Sequence, residues 1–346
     1  MYELQAVALI ERDTNNDILW VWSYPTIEDS TRDLVMRRCT LDKEGDEVID
    51  YCFCHYQQTW CYLSNFQCDD NPQLPKVTAC CLVLLSKDFN PEKYRHLSGL
   101  LYTSYASSGS PTSVLTPYLS VYTKGNCPNP SGDEMFSIKS FDIRMAYIAC
   151  PLRDVVQMFG IESIYIYTAL LLKRRVVVYA PDVATVLKVT RTLPLFVWHQ
   201  QNWNIVFPYM ELVDTEMADL TSHGTYVAGF TDASIEARTE LYDLFINVPA
   251  NAITVAPHAK ESFVLGKLHK DIAIHLMECV EDASLNDQQV IKALSVKTRE
   301  LITNVQSLSD EADGSVTLNG LREKKLNPAL ETFLYNVASA EGLTQL

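Results

Sequence analysis

The sequence has no apolar run long enough to cross a bilayer. The longest, Val77 to Leu85, is far short of the ~20 residues that a spanning helix requires, so any membrane contact is expected to be indirect. Met1 to Glu11 lacks a basic start and a continuous apolar region and is not expected to act as a signal peptide. Positive charge is scarce: 28 Lys and Arg stand against 43 Asp and Glu, a net charge of -15. That balance argues against wrapping nucleic acid or lying flat on anionic lipid by charge alone. A partner chosen electrostatically should carry basic patches. No Gly-x4-Gly-Lys-Ser/Thr phosphate loop occurs, because Gly266-Lys267 is followed by leucine inside a helical pattern. No Gly-x-Gly-x-x-Gly follows a strand, so no dinucleotide site and no cofactor are expected. The ten cysteines lack the spacing of a disulfide scaffold, and Cys80-Cys81 sit inside an apolar run. They read as reduced core residues of a cytosolic protein. Cys52-x-Cys54-His55 has no second Cys/His pair at ligand spacing; since structural zinc needs four ligands, packing is the preferred reading and no metal is expected. Internal repeats and low-complexity tracts are also missing.

What is present is an ordinary globular composition, 47% apolar and 21% charged over 346 residues, long enough for about two or three domains. The organising stretch is Gly160 to Leu212. Ile164, Ile166 and Ala169 to Leu172 put apolar side chains on all sides of a short helix, which suits a buried element. Lys173, Arg174 and Arg175 follow, where cations favour the unpaired carbonyls of a helix C-terminus. Val176 to Tyr179 is apolar at every position, as in a strand covered on both faces. Pro181 and Asp182 break it and offer a cap, and Val183, Val186, Leu187, Thr190 and Leu193 recur at helical spacing. Helix, strand, helix is the repeating unit of an α/β domain. A polar tip, His199 to Asn202, then leads into Trp203 to Pro208, a second strand-like run ended by proline.

The order of these pieces resembles the central domain of DENN-domain proteins. In that family a leucine-rich helix runs into a basic pair and a strand, then a helix, a Pro-aromatic-Trp segment and a strand ending in proline. The matching residues are Leu170 to Val178, Pro194, Phe196, Trp203, Phe207 and Pro208, with Tyr226 to Phe230 and Asp243 to Val248 resembling the last two family strands. The interval from Pro194 to Trp203 is longer than the family spacing. No single motif is specific, but the ordered set is.

The N-terminal half supports the same resemblance. Gln5 to Ile10, Ile18 to Trp22, Val48 to Cys54, Trp60 to Phe66 and Val77 to Leu85 read as five strands. A short amphipathic helix, Ser30 to Cys39, falls after the second. Asn90-Pro91 looks like a cap followed by proline at the first helical position, and helices follow over Tyr94 to Tyr105 and Thr112 to Tyr122. DENN proteins are similar to one another in opening with such a longin-like module. The expected fold class is therefore α/β, α+β overall. Its expected parts are a longin-like antiparallel sheet with helices at 1–123, a Gly/Pro/Asn linker at 124–135, a central α/β domain at 136–257 and a helical region at 258–346. In that last region one helix takes in Phe263, Leu265 and Leu268 to Met277. A second carries Ile291, Leu294, Thr298, Leu301, Val305 and Leu308, and a third is capped by Asn327-Pro328. The middle one has spacing compatible with a coiled-coil partner but spans too few heptads to require one, and packing on the neighbouring domain is the simpler reading.

Ser222 to Gly229 resembles the histidine segment of subtilisin-like proteases. The acid and nucleophile segments of that family are missing, so the constellation needed for nucleophilic catalysis is not there. His223 is better placed at the turn leading into Tyr226 to Phe230. Lys173-Arg174-Arg175 offers phosphate binding as one reading, with helix capping and internal ion pairs preferred. The DENN resemblance implies a Rab GTPase as partner, held between the longin-like and central domains, and catalysed GDP release in late endosomal vesicle traffic by a cytoplasmic protein recruited to late endosomes. The alternative it implies is a non-catalytic Rab effector or scaffold subunit of an endosomal recycling, Commander-type, complex. Catalytic side chains are not expected. The candidate partner-binding residues are the tip His199, Gln200, Gln201 and Asn202 with Trp203; polar residues beside an aromatic make a contact patch, and a buried Trp203 is the equal alternative.

Overall fold

The computed structural model describes residues 3–43, 49–69, 71–128, 135–309 and 315–344. Two compact units emerge, Met1–Tyr147 and Ile148–Leu346. The architecture is mixed α/β, with an N-terminal antiparallel sheet, a central α/β region and C-terminal helices.

The first unit is built on β1 (Leu4–Asp13), β2 (Ile18–Tyr24), β3 (Tyr51–Tyr56), β4 (Thr59–Gln67) and β5 (Val77–Ser86), in the order β2-β1-β5-β4-β3 and antiparallel throughout. The apolar runs β1 and β5 lie side by side at the centre, and Val7 to Ile10 and Cys80 to Leu84 are fully buried. The β1–β2 turn is held as its Asp/Asn content predicts: Asp13 Oδ1 accepts from the Asn15 and Asp17 amides at 2.7 and 2.9 Å. Helix α1 (Asp29–Arg38) lies between β2 and β3. Val48, placed in the third strand by sequence, falls outside the described residues. That strand starts instead at Tyr51, because the Asn65 side chain ties Ile49 O and Thr40 Oγ1 at 2.7 and 3.0 Å.

Helix α2 (Pro91–Ser108) begins where its sequence says: Asn90 Oδ1 accepts from Lys93 N at 3.2 Å, and Pro91 occupies the first helical position. The next helix differs at its start. Residues Pro111–Val114 form a 3-10 turn, and α3 runs Leu115–Lys124. Pro117 has no amide to bond Ser113 O, so it is tolerated only in the first turn of an α-helix. Gly125 ends α3 in the left-handed region at φ 74. Part of the expected linker is ordered as a ribbon, β6 (Asn126–Pro128) paired with β7 (Met135–Ser137); its residues 129–134 lie outside the described residues. Phe136 is 3% exposed and its ring packs at a tilt against His96 and Phe141 of the same unit, centroids 5.7 and 5.6 Å away. The first unit thus runs on through α4 (Ile143–Ile148) to Tyr147, beyond the boundary read from the linker.

The second unit opens with α5 (Leu152–Phe159) and α6 (Ser163–Leu171), the latter buried at Ser163, Ile164 and Ile166 to Leu171. Its sheet comprises β8 (Val176–Tyr179), β9 (Val206–Met210), β10 (Val227–Phe230), β11 (Leu244–Asn247) and β12 (Ala252–Val255), in the order β12-β11-β8-β10-β9. All pairings are parallel except β11 with β12. Val176, Val177 and Val178 are completely buried at the middle of this sheet, as a continuous apolar strand requires. Helix α7 (Val183–Thr192) starts at Asp182, which accepts from Thr185 N at 2.8 Å. Three features lie outside the sequence reading. Pro208 does not end the second strand but lies inside β9, an edge strand, where a missing donor is tolerated. The β9–β10 register slips between Ala228 and Phe230, and a Cβ on Gly229 would meet Pro208 O at 2.3 Å and Val186 Cγ1 at 2.4 Å, so glycine is what lets α7 and β9 approach. Helix α8 (Asp214–Thr221) and strand β12 are additional elements, the latter a hairpin turned through Asn251 at φ 48.

The C-terminal region carries α9 (Lys267–Glu281), α10 (Asp287–Gln306), α11 (Leu318–Glu323) and α12 (Pro328–Ala340). Phe263 and Leu265 are not in α9: a 3-10 segment ends at Phe263, and Gly266 caps the helix. The reciprocal Asn286–Gln289 capping box, at 3.0 and 2.8 Å, starts α10. Val290, Ile291, Leu294, Thr298, Leu301 and Val305 are buried against α5, α9 and α12, and Thr298 Oγ1 meets Tyr167 OH at 3.2 Å. The stripe that matched a coiled coil is spent on the protein's own core. All ten cysteines are unbridged and buried. No helix among the described residues is long and apolar enough to cross a membrane.

Candidate partner-binding site

The polar tip follows a 3-10 turn, Leu193–Val197, whose side chains are all buried. Gln200 N closes the turn on Val197 O at 2.9 Å, and Gln201 then takes a left-handed backbone at φ 46. Asn202 Oδ1 accepts from Asn204 N at 3.0 Å, an Asx turn that sends the chain into β9. The five predicted residues separate into three groups. Trp203 is 2% exposed; its Nε1 donates to Arg191 O at 3.2 Å and its ring meets Trp198 edge-on at 6.0 Å. It is the anchor of the loop, the buried alternative of the sequence reading. His199 and Gln200 turn inward to the end of α12: His199 Nε2 and Gln200 Nε2 both lie 3.2 Å from Glu341 Oε1. Gln201 and Asn202 are left exposed.

Glu341 explains why the tip is held. The hydrogen bond from His199 does most to hold its carboxyl below the usual range, against the opposing effect of burial. Lys173 reaches the same helix end and donates from Nζ to Ala340 O, a cation at the negative end of a helix. Lys173 is itself the left-handed residue that closes α6, at φ 52, with Lys173 N on Leu170 O at 3.1 Å and Arg174 N on Ala169 O at 2.8 Å. This is the Schellman arrangement with lysine where glycine is usual. Nothing local in the sequence announces Glu341, which lies 142 positions from His199.

The third basic residue has a different fate. Arg175 Nη2 and Nε bind Asp243 Oδ1 and Oδ2 at 2.9 and 3.3 Å, and its Nη1 donates to Glu240 O at 2.7 Å. Asp243 Oδ2 also accepts from Arg175 N at 2.9 Å, and His258 Nε2 stands 3.0 Å from its Oδ1. Burial alone would raise the Asp243 carboxyl, but Arg175 and His258 hold it below its ordinary value; the same hydrogen bond raises Arg175. The pair clamps the entrance of β8 to that of β11. The ion-pair reading of this basic cluster therefore describes Arg175, and the capping reading describes Lys173.

His223 sits where α8 hands over to β10, its amide on Leu220 O at 3.1 Å and its ring 5.0 Å from Phe207. Among the described residues no group of three or more His, Cys, Asp or Glu is placed to hold a metal ion. The tip presents two exposed amide side chains, Gln201 and Asn202, next to a buried indole, with His199 and Gln200 hydrogen-bonded to Glu341.

A longin-type antiparallel sheet, a parallel sheet with its helices and a helical C-terminal region define the chain as a DENN-type α/β protein. A family model described as SPA, stabilization of polarity axis, matches residues 150–257, a span that takes in α5 to β12. The chain belongs to the DENN-domain family. It is 42% identical to DENN domain-containing protein 10 of Danio rerio, over 99% of this chain and 98% of that one. It is 40% identical to the protein of that name from Homo sapiens over 98% and 96%, and 36% identical to that from Dictyostelium discoideum over 98% and 97%.

Proposed function

We propose that this chain binds a Rab-family GTPase and promotes its release of GDP in late endosomal traffic. The observation that carries the reading is its end-to-end likeness to proteins named DENN domain-containing protein 10, a family that usually acts on Rabs. Exchange of this kind requires neither proton transfer nor a nucleophile. An exchanger binds the nucleotide-free GTPase better than the GDP-bound form, and that differential binding lowers the barrier to GDP loss. Gln201 and Asn202 are the proposed contacts on the tip, with Trp203 as their anchor and His199 and Gln200 as positioning residues.

The test is release of labelled GDP from a panel of Rabs at substoichiometric protein. Multiple turnover on at least one Rab is expected. Because Gln201 and Asn202 are exposed, replacing both with Asp should leave the Tm unchanged while slowing release by about fivefold or more, the effect of losing roughly 1 kcal/mol at a contact. Binding without acceleration on every Rab would replace exchange with the effector or scaffold role in an endosomal recycling complex. Recruitment to late endosomes is read separately, by the position of the labelled protein in cells.

A further inference from the structure

Four strands end the two five-stranded sheets, and among the described residues β2 is the one left bare. The other three are covered or short: β3 is buried except at Tyr51, β9 is buried throughout, and β12 has four residues. No residue of Ile18–Tyr24 is fully buried, although six of the seven are aliphatic or aromatic. Leu19, Val21 and Tyr24 are 50%, 37% and 42% exposed. The inner edge of β2 is paired with β1 from Arg12–Ile18 to Val7–Tyr24. Among the described residues no hydrogen bond outside that ladder reaches Ile18 to Tyr24. Its outer N–H and C=O groups therefore form an open row, the template on which another strand pairs.

Sheet edges are commonly blunted by a charge or a proline within the strand. β2 carries neither, since Pro25 comes after its last residue. Its one irregularity is a bulge: Leu9 pairs with Trp22 and Ile10 with Trp20, so Val21 is the extra residue. A bulge bends the strand but adds no charge to it. Apolar surface flanks the edge on both faces. On one, Tyr24 meets Tyr118 of α3 edge-on at 6.0 Å, and Tyr118 stacks at 6.1 Å with Tyr122, itself 42% exposed. On the other, the Arg32 guanidinium of α1 lies over the Trp20 ring at 5.2 Å.

We propose that β2 pairs with an extended segment of another protein, about five to seven residues long, β-branched or apolar at alternate positions and flanked by Lys or Arg. The backbone supplies the pairing through a new ladder on the open row. The incoming side chains cover Tyr24 and Tyr122 on one face and Trp20 on the other, and so remove apolar surface from water. Charge decides against a second copy of this chain. Exposed acids stand at both ends of β2, Asp17 before it and Glu28 and Asp29 shortly after it. Two antiparallel copies set Asp17 of each toward Glu28 and Asp29 of the other, and two parallel copies align acid with acid, between chains that each carry -15. A strand with basic flanks makes both ends attractive. This surface does not rest on the exchange reading.

The test uses the full-length protein, isotopically labelled for amide NMR, and three probes: acetyl-Lys-Lys-Val-Thr-Val-Thr-Val-Lys-Lys-amide, the same peptide with Glu for every Lys, and the Lys peptide N-methylated at all of its Val and Thr residues. The Lys peptide should slow hydrogen exchange within Ile18 to Tyr24 and bind about tenfold better than the Glu peptide. N-methylation removes the donors of both strand edges and should weaken binding by about tenfold or more. Leu19→Lys should weaken the Lys peptide by about tenfold, whereas Leu19→Thr should hold within about twofold; both change an exposed side chain, and an unchanged Tm checks the fold. Exchange at β2 that no peptide slows, or an N-methylated peptide that binds as well as its parent, would overturn edge pairing. Equal binding of the Lys and Glu peptides would overturn the basic flanks. A dimer seen by sedimentation that Leu19→Lys dissolves would overturn the choice of partner in favour of a second copy.

Discussion

Replacing Asp243 with alanine removes the acceptor of four interactions at once: the Arg175 guanidinium at two nitrogens, the Arg175 amide and His258. The Asp243 side chain is 12% exposed and that of Arg175 27%, so the variant leaves a cation largely withdrawn from water, with Glu240 O and the His258 ring as neutral company. Breaking a buried pair by removing one partner costs about 3–5 kcal/mol. Because Arg175 is a quarter exposed, the lower end applies, about 3 kcal/mol. Arg175→Met strands the carboxylate instead and should cost about 2 kcal/mol, since His258 remains. The pair of changes Arg175→Met with Asp243→Leu should recover at least 1 kcal/mol relative to the sum of the single losses, because no charge is then left unpaired. The assay is hydrogen exchange of the Val176 to Val178 amides at the centre of the sheet, which reports opening of the second unit alone. The dependence on pH has a definite sign. Asp243 is held below its unfolded 3.8, so its contribution is present above 3.8 and is lost as pH falls through the lower folded value. A cost below about 1 kcal/mol for Asp243→Ala, or strict additivity of the single changes, would refute the view that this pair clamps β8 to β11.

Gly229→Ala should destabilise the second unit by about 1–3 kcal/mol, since the new methyl would lie 2.3 Å from Pro208 O and 2.4 Å from Val186 Cγ1; a lowered urea midpoint with an unchanged first unit is the expected readout. His269 titrates at about 4 in the folded chain against 6.5 ordinarily. Its folded value is depressed, so the neutral ring contributes fully above 6.5 and stability falls between 6.5 and 4 as the unfolded chain takes up the proton, by at most about 3 kcal/mol. In His269→Phe that part of the stability–pH curve should flatten, and an unchanged slope would show that the ring is open to water.

Much of the fold was legible because its signals are local. The all-apolar run Val176 to Tyr179 had to be a strand covered on both sides, and Asp182 and Asn90 marked helix starts by a side-chain oxygen three residues ahead of an amide. The buried face of α10 was visible as a spacing. Residues whose meaning depends on a distant partner were not. Pro208 reads as a strand end until β9 is known to lie at the sheet edge. Leu265 reads as helical until Gly266 is seen to cap α9. Helix α8 and strand β12 are short, and their stability comes from tertiary contact more than from pattern.

The candidate site divides the same way. Its polar residues and aromatic anchor could be named from the sequence, but whether each faces water could not: Glu341 claims His199 and Gln200, Arg191 O claims the Trp203 indole, and Gln201 and Asn202 remain outside. The sequence by itself determined the class of fold, the caps and the buried strands, because hydrophobic periodicity and side-chain-to-backbone bonds act over a few residues. Only the tertiary structure decided that Lys173 serves one helix end, that Arg175 serves Asp243, and that His269 is buried against Phe333. Ion pairs and ring contacts join positions far apart in the chain, and no spacing rule records which of them meet.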